Sequence, residues 1–482
     1  MFDRIFQLRE NGTNVRTELL AGTTTFLTMS YIIFVQPAVL SGSMFGMDTG
    51  MDFGSVMTAT CLAAALATAI MGIWARYPIA QAPGMGENFF FVFSVLPAAA
   101  LLIQEKTAAG ALAEGVTTPW RIALGVVFIA GILFMLLSVL GVRERLLDAV
   151  SASMRNGIAV GIGLFIAFIG TKNATLILPD ASSGVKLNVH FASPDIVLFL
   201  IGLFVTAGLF ARRVRGAIVI GIVLVTLLAI GLKSVLPYLP TEITESRTVA
   251  DSLLVEQFQP TTEVAALPPS IAPTLLKMDI VGALSASMIP FIVIFLFMDL
   301  FDTLGTLIGV SEQAGFIKDG KLPRANRALL SDAVGTAAGA VMGTSTVTSF
   351  IESAAGVEQG GRTGLTALTA AVLFLLALFF SPLVAMVGSY PVVTAPALVV
   401  VGSMMMRNVT KIDWSNPAES IPSFLILLGI PLSFSIADGL AIGFIAYPII
   451  KLIAGQRKDI KPLMVLMAVV MVAYFVFVKA GA

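Results

Sequence analysis

Two carboxylates interrupt the otherwise lipid-compatible stretch FIVIFLFMDLFDTLGTLIGV, residues 291–310. Asp299 and Asp302 are three residues apart, so on a helix they project from nearly the same face. A charged side chain at the centre of a bilayer costs about 3 kcal/mol on insertion scales. Two on one face need a compensating cause: they bind something, or they hold another part of the protein. Two more acids lie in similar settings, Glu87 in PIAQAPGMGENFFF (78–91) and Glu352 in GTSTVTSFIESAAGVEQGGRTG (343–364). Carboxylates accept from N–H groups, and burial disfavours their charged form. Acids placed this way suit recognition of a donor-rich ligand, carriage of a proton or, with threonine and backbone oxygens, ligation of Na+.

The elements that position these acids must cross a membrane. The chain has 482 residues, 57% hydrophobic and 12% charged, with mean hydropathy +0.95; soluble domains carry about 25% charged residues. It reads as an all-α polytopic membrane protein. Zero formal net charge gives no electrostatic case for nucleic acid. Cys61, the single cysteine, lies in an apolar run and reads as a core residue; it forms no intramolecular disulfide. His190, the single histidine, lies in a polar connection, which excludes imidazole chemistry within the membrane. With no reactive-cysteine context, metal-ligand cluster or nucleotide loop, no cofactor is called for, and a membrane enzyme would rest on a carboxylate dyad alone. The N-terminal MFDRIFQLRENGTNVRTELL lacks the apolar core and cleavage site of a signal peptide.

Hydropathy places seven candidate spans in residues 1–237, from 19–40 to 215–237. A polar connection follows at 238–283, with Glu242, Glu245, Asp251, Glu256, Glu263 and prolines at 268, 269 and 273. A second set occupies 284–482. Arg4, Arg9, Arg16, Arg76, Arg143, Arg145, Arg212, Arg213 and Arg215 fall on one side, as do Lys318, Lys321, Arg324 and Arg327. That places the N-terminus in the cytoplasm and the acidic connection outside. The third segment of each set, 78–91 and 343–364, is too polar and too rich in Gly, Pro, Ser or Thr to face lipid as a full helix. Each reads as a short extended piece running into a short helix. Such backbone survives at membrane depth only when buried in protein or lining a cavity, and a matched pair marks a transporter built from inverted repeats. Arg407, Lys411, Arg457 and Lys458 all read as cytoplasmic, so either 461–479 is an extra crossing or 418–453 is not two full spans.

The segments TTTFLTMSYIIFVQPAVLS (23–41), QAPGMGENFFF (81–91), SMRNGIAVGIGLFIAFIG (153–170), FMDLFDTLGTLIGV (297–310), GTSTVTSFIESAAGVEQGGRTGLTAL (343–368) and IPLSFSIADGLAIGFIAY (430–447) resemble the nucleobase–cation symporters, and among them the AzgA-like purine permeases. The resemblance implies a uracil-permease-like fold: about fourteen spans in two inverted seven-span repeats. It also implies core and gate domains, with short strands in spans 3 and 10 meeting between the first and eighth helices.

The resemblance assigns substrate contacts to Asp302, Asp299, Glu352 and Asn88. Thr306, one turn beyond Asp302, and Phe350, before Glu352, join that set. A purine base is a flat ring edged with N–H donors and with O and N acceptors, which carboxylates and backbone N–H groups match. Phe26, Tyr31, Phe89, Phe301 and Phe350 are available to stack on it, although plain packing accounts for any one of them singly. One of the two aspartates could instead hold Thr24, Thr28 or Ser30 of the first span. Glu358 and Arg362 read as a mutual pair, and Asp438 as a helix-start cap. The family's third-span motif reads G-M-G-L-N-A; here Glu87 replaces the leucine and Phe89 the alanine. Glu87 therefore carries the proton, alters base preference, or faces water.

The resulting expectation is purine nucleobase uptake (adenine, guanine and hypoxanthine class) at the cell membrane. A proton or Na+ is the coupling ion, with Glu87, Asp299, Asp302 and Glu352 as proton carriers. The core moves against the gate in an elevator-like cycle. Gly157, Gly161 and Gly163 allow close helix contact in the gate, through which the fold is expected to form homodimers. Two alternatives share the fold: a Na+-coupled pyrimidine or xanthine permease, and an anion exchanger or channel, which the carboxylates disfavour.

Overall fold

The computed structural model describes residues 3, 6–111, 115–140, 150–317 and 322–479. Arg4, Arg143, Arg145, Lys318 and Lys321 lie outside the described residues. In chain order the first helices are α1 (Val15–Leu40), α2 (Phe53–Ala75), α3 (Met85–Ala108), α4 (Pro119–Leu140), α5 (Ala152–Asn173), α6 (Pro194–Ala211) and α7 (Ala217–Tyr238). Then come α8 (Ala286–Gln313), α9 (Ala325–Met342), α10 (Ser353–Glu358), α11 (Gly364–Gly388), α12 (Pro391–Lys411), α13 (Pro417–Ser433), α14 (Ile436–Ile453) and α15 (Pro462–Ala473). All but α9, α10, α13 and α15 are long and apolar enough to cross a membrane, which makes eleven such helices among the described residues.

The two interrupted segments meet. Strand β1 (Gln81–Pro83) precedes α3, and β4 (Val347–Ser349) precedes α10. They pair antiparallel, with Gln81 opposite Ser349, Ala82 opposite Thr348 and Pro83 opposite Val347. Strands β2 (Ile177–Asp180) and β3 (Gly184–Leu187) form a separate hairpin between α5 and α6. Helix α1 is broken at Ser30 and Tyr31, where its two pieces, Val15–Met29 and Ile32–Leu40, abut. Cys61 is fully buried in α2, and His190 lies exposed after β3.

Glycine sets how closely the helices approach. A Cβ on Gly163 would stand 2.6 Å from Met405 Cβ and 2.8 Å from the Gly402 carbonyl; one on Gly157 would stand 3.0 Å from the Ser423 carbonyl. Helix α5 therefore touches α12 and α13 backbone to backbone, as small residues permit.

Helices α13 and α14 form an antiparallel hairpin. Glu419 near its start and Lys451 near its end pair at 2.8 Å. At its tip Phe434 packs on Phe165 and Phe168 and lies under Lys172. Helix α15 runs back along α14, and Tyr474 donates to Asp438 at 2.6 Å. The hairpin arms hold 17 and 18 residues, roughly 25–27 Å each, so neither arm of 418–453 collapses to a loop and 461–479 adds a further rod. Ser435 is the residue that caps α14, its hydroxyl accepting from the Asp438 amide at 3.2 Å; Asp438 sits in the first turn. Glu358 and Arg362 do not pair: Glu358 accepts from Gln313 at 2.7 Å, and Arg362 donates to the carbonyls of Val357 and Gly361.

The acidic connection is strapped across one end of the bundle. Asp195 accepts from the amides of Leu253 and Leu254 and, at 2.6 Å, from Tyr390. Thr58 and Ser55 of α2 donate to the carbonyls of Pro269 and Ser270. Glu263 on this strap is exposed, as is Lys411 at the end of α12. With Cys61 buried, single cysteines at these positions report orientation. The basic bias predicts that Glu263→Cys is labelled by a membrane-impermeant maleimide in intact cells, and Lys411→Cys only after permeabilisation. The reverse pattern would invert the topology.

Candidate functional site

Where β1 and β4 cross, the chain has few local hydrogen bonds and side chains must complete them. The Thr336 hydroxyl of α9 accepts from the Val347 amide at 3.0 Å and shares its own proton between the Val347 carbonyl and Asp299. The Gln81 side chain donates to Asp332 at 2.9 Å and to Ser349 at 3.1 Å, and accepts from Ser331 at 2.7 Å. Thr303 of α8 donates to Asp332 at 2.7 Å and accepts from the Ser349 amide at 3.3 Å. On the other side, Asn88 donates to Gln36, which donates to Thr344 and Ser345.

A cavity of about 560 Å³ lies against one side of this crossing. Asp302, Thr306, Glu87, Phe350 and Glu352 line it, and so do Tyr31 and Phe301. Asp302 is open to the cavity although it sits mid-helix, beside Thr348 of β4. Glu352 is half-buried; its carboxylate accepts from Tyr31 at 2.8 Å, across the break in α1. The rings of Tyr31 and Phe350 are 6.4 Å apart. Glu87 is 2% exposed, and its Oε2 has no hydrogen-bond partner among the described residues. A Cβ on Gly84 would stand 2.2 Å from that oxygen, so glycine there makes room for the carboxylate.

The expected residues therefore divide. Asp302, Glu352, Glu87, Thr306 and Phe350 share one cavity. Asp299 and Asn88 stand behind its wall, 1% and 0% exposed. Asp299 does not hold the first span. Thr24, Thr28 and Ser30 donate to carbonyls of their own helix, and Thr28 also to the Glu352 carbonyl. Asp299 turns to α9, toward Thr336 and Asp332. Asp299 and Asp332 are both buried, and each accepts from a threonine hydroxyl: Asp299 from Thr336 at 3.0 Å and Asp332 from Thr303 at 2.7 Å. Of the aromatic candidates, Phe26 packs edge-on against Phe374, and Phe89 joins Phe45, Phe93 and Phe165. Sequence reasoning missed Asp332 and Gln81. The available signal was an acid inside the small-residue run SDAVGTAAGAV (331–341), an intramembrane carboxylate like the others.

Thr336 joins α9, Asp299 and β4 through one hydroxyl. Thr336→Val keeps the shape and removes it, leaving buried acceptors short of a donor. The expected cost is about 1–3 kcal/mol, read as a lower thermal midpoint of the purified protein. An unchanged midpoint would show that the crossing does not depend on this hydroxyl.

Comparison with known proteins agrees with this architecture. The Permease family (Xan_ur_permease) matches residues 16–442. The chain is 37% identical to the adenine permease AdeP of Escherichia coli (strain K12), covering 100% of this chain and 97% of that one. It is 41% identical to the guanine/hypoxanthine permease PbuG of Bacillus subtilis (strain 168), covering 98% and 99%. In fold it is similar to the transmembrane domain of a cyanobacterium bicarbonate transporter, BicA, at TM-score 0.57, 14% identity and 89% and 97% coverage. It is also similar to SLC26A9, at TM-score 0.59, 11% identity and 94% and 68% coverage. A membrane-spanning helical bundle, a buried polar strand crossing beside a cavity, and a match over most of the sequence lead to one conclusion: the chain belongs to the permease family and is a multi-pass membrane transporter, not an enzyme.

Proposed function

We propose that this chain takes up purine nucleobases, of the adenine, guanine and hypoxanthine class, by symport with a proton. The observation that carries this reading is that Asp302 of α8 and Glu352 of the β4–α10 segment share one cavity with Tyr31, Phe301 and Phe350. The two carboxylates accept from ring and exocyclic N–H groups of the base, and Thr306 adds a hydroxyl. The aromatic side chains cover the ring faces. Relatives that align over nearly the whole chain are named as adenine and guanine/hypoxanthine permeases, which supports the same substrate class. At the strand-crossing end an anion has no comparable fit, because Glu87, Asp302 and Glu352 line the cavity there.

The proton has two sets of claimants. Glu87, Asp302 and Glu352 face the cavity. Asp299, with Asp332, stands behind it in contact with the strand that carries the site. The cavity lies between α8 and β4 on one side and α5, α12 and α14 on the other, through Ile158, Val401 and Phe444. That arrangement supports an elevator-like movement of a core (α1–α4 and α8–α11) against a gate (α5–α7 and α12–α14), the two halves being repeats over 1–237 and 284–482. The cavity reaches Arg155, Arg407 and Lys411 at the basic end. Toward the other end, Phe93 of α3 packs against Phe165 and Phe434 at 5.6 and 6.2 Å. This supports a state open to the cytoplasm and closed outward, with the N-terminus cytoplasmic.

Uptake of radiolabelled bases in cells lacking their own permeases tests the reading. Purine uptake is expected, abolished by a protonophore; no uptake of any purine would refute it, and uptake driven by Na+ alone would refute the coupling. Asp302→Asn and Glu352→Gln should each weaken uptake affinity about ten- to a hundredfold, the equivalent of one charge-assisted hydrogen bond. Their membrane levels should be unchanged. Wild-type transport in both would place the site elsewhere.

A further inference from the structure

The cavity is larger than a bare base requires, and its charge is sorted. Its acids, Glu87, Asp302 and Glu352, come from the elements that meet at the strand crossing. Its cations, Arg155, Arg407 and Lys411, come from the first turn of α5 and the last turns of α12. These ends of α5 and α12 meet, since the Asp413 amide donates to Ser153 at 3.0 Å. The Arg155 guanidinium lies 5.7 Å from the ring centroid of Phe301, the residue before Asp302, which links the basic end to the helix of the acidic end. Along α12 the wall runs from Val401 to Lys411, about 18 Å of helix whose last six residues are wound as a 3-10 helix. The positive-inside bias accounts for cations beyond the ends of spans. It does not require them to line the same cavity as the acids.

A ligand that matches both ends carries a donor-edged ring at one and an anion at the other. We propose that the cavity also binds purine nucleoside 5′-monophosphates from its basic face. The base occupies the Asp302–Glu352 end, and the phosphate lies among Arg155, Arg407 and Lys411. A phosphate is held by charge-assisted bonds from guanidinium and ammonium groups. Too highly charged to pass the aromatic closure, such a nucleotide occupies the transporter without crossing. Uptake is then held back by the product of phosphoribosylation of its own substrate. This inference rests on the purine reading of the acidic end.

Direct binding separates the two. Equilibrium dialysis of the purified full-length protein in nanodiscs is run with radiolabelled hypoxanthine and, separately, radiolabelled inosine 5′-monophosphate. Both should bind and compete with each other. Arg407→Gln with Lys411→Gln, both exposed and remote from the strand crossing, should weaken nucleotide binding about tenfold or more while leaving hypoxanthine binding unchanged. In inside-out vesicles the nucleotide should inhibit hypoxanthine transport; in right-side-out vesicles it should not. Base binding without nucleotide binding up to millimolar concentration overturns this inference alone, and absence of base binding overturns the purine reading. Competition by inorganic phosphate as strong as by the nucleotide, or nucleotide binding unchanged in the double variant, also overturns the proposed site.

Discussion

Three residue pairs between β1 and β4 hold the site together. Extended backbone deep in a membrane protein has no water to turn to, and two short strands satisfy only part of each other's hydrogen-bonding capacity. The remainder falls to side chains from other elements: Thr336 for Val347, Thr303 for Ser349, and Gln81 bridging to Asp332 and Ser349. The cavity-lining residues near the crossing are attached to this framework. Thr348 lies beside Asp302, Phe350 and Glu352 follow β4 directly, and Glu87 is in the first turn after β1. A shift of the crossing would move all of them together.

The same constraint explains why the acids of α8 differ in role despite sharing a helix. Asp302 points to the cavity, and Asp299, one turn earlier, points to α9. Three residues correspond to about 300° of helical rotation, so the pair is offset by about 60°. That offset is small enough to look like one face in a sequence. It is large enough to put one carboxylate in front of the strands and the other behind them. Asp299, Asp332, Thr303 and Thr336 then form a polar connection between α8, α9 and β4.

BicA and SLC26A9 share the fold at low sequence identity, which says nothing about what this chain binds. Chemistry is decided by what stands around the crossing. Here three acids line the cavity at the crossing, and the cations lie at its other end along α5 and α12. The aromatic contact among Phe93, Phe165 and Phe434 joins α3 to α5 and to the turn after α13.

Composition alone determined that the chain spans a membrane, because 57% hydrophobic residues cannot be hidden in a soluble core of this length. The broken segments at 78–91 and 343–364 were legible for the same reason: Pro, Gly, Ser and Thr in such numbers forbid a lipid-facing helix, so those residues had to be buried. Asp302, Glu352 and Glu87 were legible as costly charges. Tertiary structure alone decided which polar group answers which. Asp332 on α9 meets Asp299, Gln81 spans both strands, Asn88 turns to Gln36, and Tyr31 reaches Glu352 across 321 positions of sequence. Helical spacing fixes a side chain's direction to within one face, but its partner depends on how distant helices pack, and packing here follows glycine contacts such as Gly163 on Gly402 that no local pattern encodes.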